Sequence, residues 1–335
     1  MQYNCSIEEC DIVDKKKGEE FRKKREQWIE WLYGEDIHSI SHQISSLLWD
    51  YGIFLIVNEL RKAAEDNPNP DIKFNGPVLN LFDAGFATMQ AIGIRRLTDK
   101  PKKDKKREQK EAVISLPKLI KDIKNNIDLL TRENYVCYND LPYEHEDVYN
   151  KWISSIQQNS NGATTGALPM DGRGAFDTSR ICHEKFDKLA KVQPKMRQRN
   201  DTINIEFLNI LENEIEKCKN VRKFADKFIA HAAAPENRIT LNDDERNITL
   251  DRLKRCHIII KQVASFISGP ILFESNIGDL PVPQYDHLKN LDKRWGTKED
   301  LVKVRKRWDE FSKEVESWNS SSLWQSMTDI PNTAT

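Results

Sequence analysis

Residues 36–64 read DIHSISHQISSLLWDYGIFLIVNELRKAA. Ile37, Ile40, Ile44, Leu47, Leu48, Tyr51, Leu55 and Ile56 recur there mostly at spacings of three and four. That period gathers them on one face of an α-helix, whereas a half-buried strand would alternate apolar and polar residues. The spacing predicts a helix over about 36–64. Asn67-Pro68-Asn69-Pro70 then stops it, because proline lacks the N–H that the helical ladder needs.

The same period continues outward in both directions. It predicts helices over about 77–97, 116–130 and from 177 onward. A further helix carries Ile205, Leu208, Ile210, Leu211 and Ile215, with Asp201 or Thr202 as the expected N-cap. Residues 220–232 and 243–267 follow as helices, and Gly269-Pro270 is expected to stop the second. Residues 131–174, which include NSNGATTGA and MDGRG, show little apolar periodicity. They read as an irregular polar insertion docked in part by its tyrosines and Trp152. No strand pattern of useful length is present. The fold class is therefore all-α, an antiparallel helical bundle. Three parts are expected: an N-terminal helical segment over 1–35, the bundle over 36–268 with the insertion at about 131–175, and a C-terminal extension over 269–335. In that extension one long helix, about 298–318, sets Leu301, Val304, Trp308, Phe311, Val315 and Trp318 in an a/d seam. Packing on its own domain is the favoured use of the seam, and pairing with a second subunit the other.

Composition narrows the function. The 335 residues carry 52 basic and 53 acidic side chains. A net charge of -1 means that nucleic-acid binding would need a local basic patch. No apolar run reaches the ~20 residues of a membrane span, and MQYNCSIEECDIVDKKK has no apolar h-region. Cys5, Cys10, Cys137, Cys182, Cys218 and Cys256 form no CxxC, so reduced structural thiols in a cytoplasmic protein are expected. His38 and His42 share a helical spacing but bring no third ligand, and Cys182 beside His183 points apart from it on a helix, so no metal site is expected. No phosphate loop, dinucleotide fingerprint, nucleophile elbow or HExxH is present, and no cofactor is expected. Lys100–Lys110 reads KPKKDKKREQK. It is first a solvated charge run, and second a source of salt-sensitive phosphate contacts through Lys102 and Lys103. Val304–Trp308, VRKRW, is basic on one face.

KFADKFIAHAAAPENR, residues 223–238, is an amphipathic helix running into His231. Val221, Phe224, Ala225, Phe228, Ile229 and Ala232 make its apolar stripe. At about 100° per residue, Asp226 stands roughly 140° from His231, and Arg222 faces the opposite side. A histidine at a helix C-terminus can simply serve the last carbonyls. Yet DKFIAHAA resembles the Arg-Asp-Lys-x-x-Ala-His signature of the HEPN superfamily, in its abortive-infection AbiU-like branch. Residues 82–101, FDAGFATMQAIGIRRLTDKP, are similar to that family's helix ending in Arg-Leu-(Thr/Phe)-Asp-Pro, here Arg96, Leu97, Thr98 and Asp99, with Lys100 before Pro101.

The resemblance implies a HEPN-like, often dimeric bundle in prokaryotic defence or toxin–antitoxin systems, whose active members cleave RNA without a metal. A histidine there moves the protons of the 2′-OH and the leaving 5′-oxygen, an arginine neutralises the phosphate, and a 2′,3′-cyclic phosphate results. Ala225 stands where the family arginine is expected, while Asp226, Lys227, Ala230 and His231 keep their places. Two functions follow as expectations. One is a noncatalytic RNA- or nucleotide-binding or dimerisation module, using Asp99, Lys102, Lys103, Asp226 and Lys227. The other is a metal-independent endoribonuclease, with His231 as acid/base and Arg95, Arg96 or Arg238 as phosphate partner. RNA or a nucleotide, a homodimeric partner and a defence-system protein are the expected partners, with no membrane.

Overall fold

A computed structural model describes residues 3, 5–66, 75–100, 113–147, 149–150, 153–154, 170–230, 236, 242–274, 284–286, 288–291, 293 and 298–317. All regular elements among them are helical. They are α1 (Lys15–Tyr33), α2 (Ile40–Asp66), α3 (Gly76–Thr98), α4 (Leu116–Asn125), α5 (Arg132–Cys137), α6 (Met170–Ala190), α7 (Ile205–Glu216), α8 (Lys219–Phe224), α9 (Asp243–Arg246), α10 (Leu250–Phe266) and α11 (Lys298–Ser317). Two stretches wind wider, as π-turns: Ala225–Ala230 continues α8, and Ile267–Ile271 continues α10. The chain divides into two compact units, Met1–Pro281 and Val282–Thr335.

Local chemistry starts these helices where they start. Asp14, Asn75, Ser115, Thr131, Asn204 and Thr249 each accept a backbone N–H of the following first turn. Each such cap contributes about 1 kcal/mol. The expected cap at Asp201 or Thr202 is corrected to Asn204. Asp201 is occupied instead by the backbone N–H of Gln198 and by Arg132, and Thr202 forms a lone bridge with Thr131. The helix expected from residue 36 begins at Ile40, because Asp36 folds into a turn and accepts from the N–H of His38 at 2.7 Å.

Within the first unit, α2 packs on α3 and α10, α3 on α8 and α10, α4 on α7, and α5 on α6. The periodic residues of the sequence fill the space between them: Ile40, Ile44, Leu47 and Phe54 of α2, Ala91, Ile94 and Leu97 of α3, and Leu253, Ile260 and Val263 of α10. Phe54 stacks on Phe86 at a centroid distance of 3.6 Å. Gly93 sets the α2–α3 approach, since a Cβ there would stand 2.5 Å from a Leu47 methyl. Helix α1 is no separate segment. Its Phe21, Trp28 and Leu32 are buried in the same core, and the Trp28 indole donates to Asp122 of α4 at 2.8 Å.

Three further expectations change. The start of the supposed insertion is core: Leu130, Tyr135, Val136 and Cys137 are fully buried, and the Tyr135 hydroxyl donates to the Pro270 carbonyl at 2.7 Å. A short helix of six residues gave too little periodicity to be seen. Tyr135, Tyr138 and Tyr143 do pack on the body, and Trp152 lies outside the described residues. The six thiols are not all reduced, because Cys5 and Cys10 are joined by a disulfide. A tight run of turns brings their Cα atoms to 6.5 Å, within bridging range. The remaining four are free and buried. Finally, Gly269 and Pro270 lie inside the second π-turn, which ends at Ile271.

In the second unit, α11 exposes Leu301, Val302, Val304 and Trp308, and the side chains of Phe311 and Val315 lie outside the described residues. Trp318 lies outside the described residues. No helix among the described residues is long and apolar enough to cross a membrane.

Candidate functional site

The two stretches that carry the family resemblance, 131 residues apart at their point of contact, meet in space. Helix α3 delivers the first. Its last turn holds Arg95 and Arg96, cations that suit the negative end of a helix dipole. The Thr98 hydroxyl donates back to the Ile94 carbonyl at 2.7 Å, and the Ser115 hydroxyl donates to the Asp99 carbonyl at 2.8 Å. Ser115 also caps α4. Asp99 and Ser115 are thereby joined at one point.

The second stretch comes up beside it through α8 and its π-turn. The Arg222 guanidinium donates to the Thr98 carbonyl at 2.9 Å and to Glu216 at 3.1 Å, and Lys100 reaches Glu216 at 2.9 Å. Partial burial opposes ionisation of Glu216, yet hydrogen bonds from Lys100 and Arg222 hold its carboxyl below the usual range. One turn further on, Arg95 forms an ion pair with Asp226. Both partners are partly exposed, at 31% and 40% of their side chains.

These contacts sort the candidate residues. Arg95 and Asp226 are brought together. Arg96 is exposed and makes no ion pair among the described residues, while Lys227 and Asp99 are half-buried beside the junction. His231, Arg238, Lys102 and Lys103 lie outside the described residues. Ala225 is fully buried. The position that resembles the family's arginine site therefore faces the core, where a guanidinium would have to displace packed side chains.

The π-turn also revises the angles read from the sequence. With hydrogen bonds from i to i+5 instead of i to i+4, Ala225–Ala230 turns less per residue than an α-helix. The 100° per residue used for an α-helix does not apply within 225–230, and residue 231 lies outside the described residues. Nothing in the apolar stripe announced the change. Arg222, set aside on angular grounds, is the residue that locks the two stretches together. Its signal was absent because Glu216 and Arg222 are six apart, on no regular helical face.

His38, His42, His183 and His257 are structural or solvated. His38 precedes α2 and so shares no helical turn with His42, which bonds to the Ser39 hydroxyl at 2.8 Å. No group of three side chains that could hold a metal occurs among the described residues. His183 is buried, with Nε2 at 2.9 Å from the Tyr143 carbonyl. Burial holds its pKa down to about 4, and does the same for His257, whose ring meets Tyr51 edge-on at 5.1 Å. Neither is poised for proton transfer at neutral pH.

Compared with protein-family models, with curated proteins and with solved structures, the chain gives no match.

Proposed function

We propose that this chain is a HEPN-like module of a prokaryotic defence or toxin–antitoxin system that binds RNA without cleaving it. It would act as a homodimer beside a partner protein. The observation that supports this reading is the Arg95–Asp226 pair. It joins the two family-like stretches into one half-exposed surface, but it also neutralises Arg95. Arg96 and Lys227, next in sequence to the two partners of the pair, would supply phosphate contacts, with the Lys100–Lys110 run following Arg96 in sequence. A buried alanine at 225 and an arginine held by a carboxylate are a poor apparatus for stabilising a phosphorane. Loss of one such donor alone costs on the order of 10²–10³ in rate.

The test is fluorescence anisotropy with a labelled single-stranded RNA across a salt series, beside Arg96→Glu and Lys227→Glu. Binding that weakens with salt, and weakens about uniformly across RNA sequences in the variants, supports the module. RNA that stays free at high protein concentration overturns it. A second reading, the metal-independent endoribonuclease, is favoured by one fact. Asp226, which holds Arg95, is five residues before His231. Incubation with RNA in EDTA decides it. Cleavage to 2′,3′-cyclic phosphate ends, lost in His231→Ala, would establish the enzyme in place of the binding module.

A further inference from the structure

A separate cleft of about 450 Å³ opens where α6, α7 and the end of α10 come together. It shares no residue with the surface formed by α3 and the Ala225–Ala230 turn. Lys185 and Lys188 of α6 stand on one wall, Phe207 of α7 and Phe266 of α10 on another, and Pro270 and Glu274 close the end. The volume lies in the range of small-molecule sites.

Charge and ring chemistry select the occupant. Lys185, Lys188 and the neighbouring Lys191 make no ion pair among the described residues. The cleft's one carboxylate, Glu274, is engaged by the buried Arg25. The cleft is therefore cationic on balance, although the whole chain has a charge of only -1. Phe207 and Phe266 lie nearly parallel, 27° apart at 6.0 Å, both half-buried. A flat ring can extend that stack. The lysines are placed with respect to the rings: the Lys185 ammonium sits 4.4 Å over Phe273, and that of Lys191 5.5 Å over Phe207.

The backbone fixes this arrangement. Phe273 has φ 51°, a left-handed conformation usually left to glycine. The conformation lets the N–H of Glu274 reach back to the Ser268 carbonyl at 2.9 Å and closes the π-turn. Lys191 has φ 56° at the end of α6, where the Val192 N–H returns to the Asp187 carbonyl at 3.0 Å. Two bulky residues in this conformation flank one cleft and present its cations.

We propose that this cleft binds a free nucleoside phosphate, with the base stacked on Phe207 and Phe266 and the phosphate between Lys185 and Lys188. An aromatic floor with a cationic rim is the recognition chemistry of nucleotides. The bounded volume fits one nucleotide better than a continuing strand.

The test is calorimetric titration of the full chain with AMP, adenosine and inorganic phosphate, beside Lys185→Glu/Lys188→Glu and Phe207→Ala. Circular dichroism confirms that the variants are folded, and the exposed lysines make the first of them a safe substitution. AMP should bind at least tenfold more tightly than adenosine or phosphate. The double lysine variant should lose tenfold or more, and Phe207→Ala about tenfold. Arg96→Glu should leave AMP binding unchanged, which separates this site from the RNA surface. The assignment is overturned by no binding at millimolar AMP, by phosphate binding as tightly as AMP, or by affinities that neither variant moves. A 5′-phosphorylated oligoribonucleotide that displaces AMP at far lower concentration would overturn the free nucleotide in favour of a strand end.

Discussion

Arg132 and Arg95 both bind aspartate, and they do opposite things. Arg132 is fully buried, donates to Asp187 at 2.8 Å, Asp201 at 2.9 Å and the His183 carbonyl at 3.3 Å, and lies over the Phe186 ring. Arg197 reinforces Asp187 from the other side at 2.7 Å. Burial opposes ionisation of Asp187, yet hydrogen bonds from Arg197 and the charge of Arg132 hold its carboxyl below the usual range. Arg95 has one carboxylate partner and open water beside it. Desolvation separates the two. A guanidinium removed from water needs its partners and becomes a structural knot, whereas one left half in water keeps a pair that adds little to stability.

That contrast breaks first under mutation. Arg132→Ala leaves Asp187 and Asp201 as partly buried, under-compensated charges, and should cost about 3–5 kcal/mol in urea unfolding. A loss below 1 kcal/mol would mean that the knot is no better than a surface pair. Acid should act next, through the two buried histidines. Their folded pKa of about 4 lies below the unfolded value of 6.5, so the unfolded chain binds protons first. Stability is full above pH 6.5 and falls as pH drops toward 4, by about 3 kcal/mol for each histidine. Urea midpoints across that range should show a shallower decline in His257→Phe.

Smaller effects concern the half-exposed region. Ala225→Arg, which restores the residue type of the family signature, should destabilise by about 1–3 kcal/mol, because the position is filled core. Thermal melts would read the loss, and RNA in EDTA should remain intact. Arg95→Ala should cost under about 1 kcal/mol in stability, the usual worth of a partly exposed pair. If it costs as much as Arg132→Ala, the two regions do not differ as described.

The comparison also shows how much was legible. The helices of residues 40–66, 76–98 and 116–125 were readable, since each buries residues at helical spacing and begins or ends on proline, asparagine or serine, although Leu55, Leu81 and Met89 stay exposed. The cleft on α6 left a faint trace, two lysines three apart on one face, but its aromatic floor comes from two other helices further along the chain. The short core helix at Arg132–Cys137 and the disulfide at Cys5 and Cys10 left none.

The amino-acid sequence by itself determined the helical class, the placing of most helices and the two stretches that pair arginine with aspartate. Apolar period and capping chemistry act over a few neighbouring residues, and so they can be read from a string. Only the tertiary structure decided that Arg95 meets Asp226, that Arg222 locks Thr98, that Ala225 faces inward and that the chain widens into a π-turn before residue 231. Burial and ion pairing depend on which distant surfaces a helix meets, and that partner is not written in the helix's own residues.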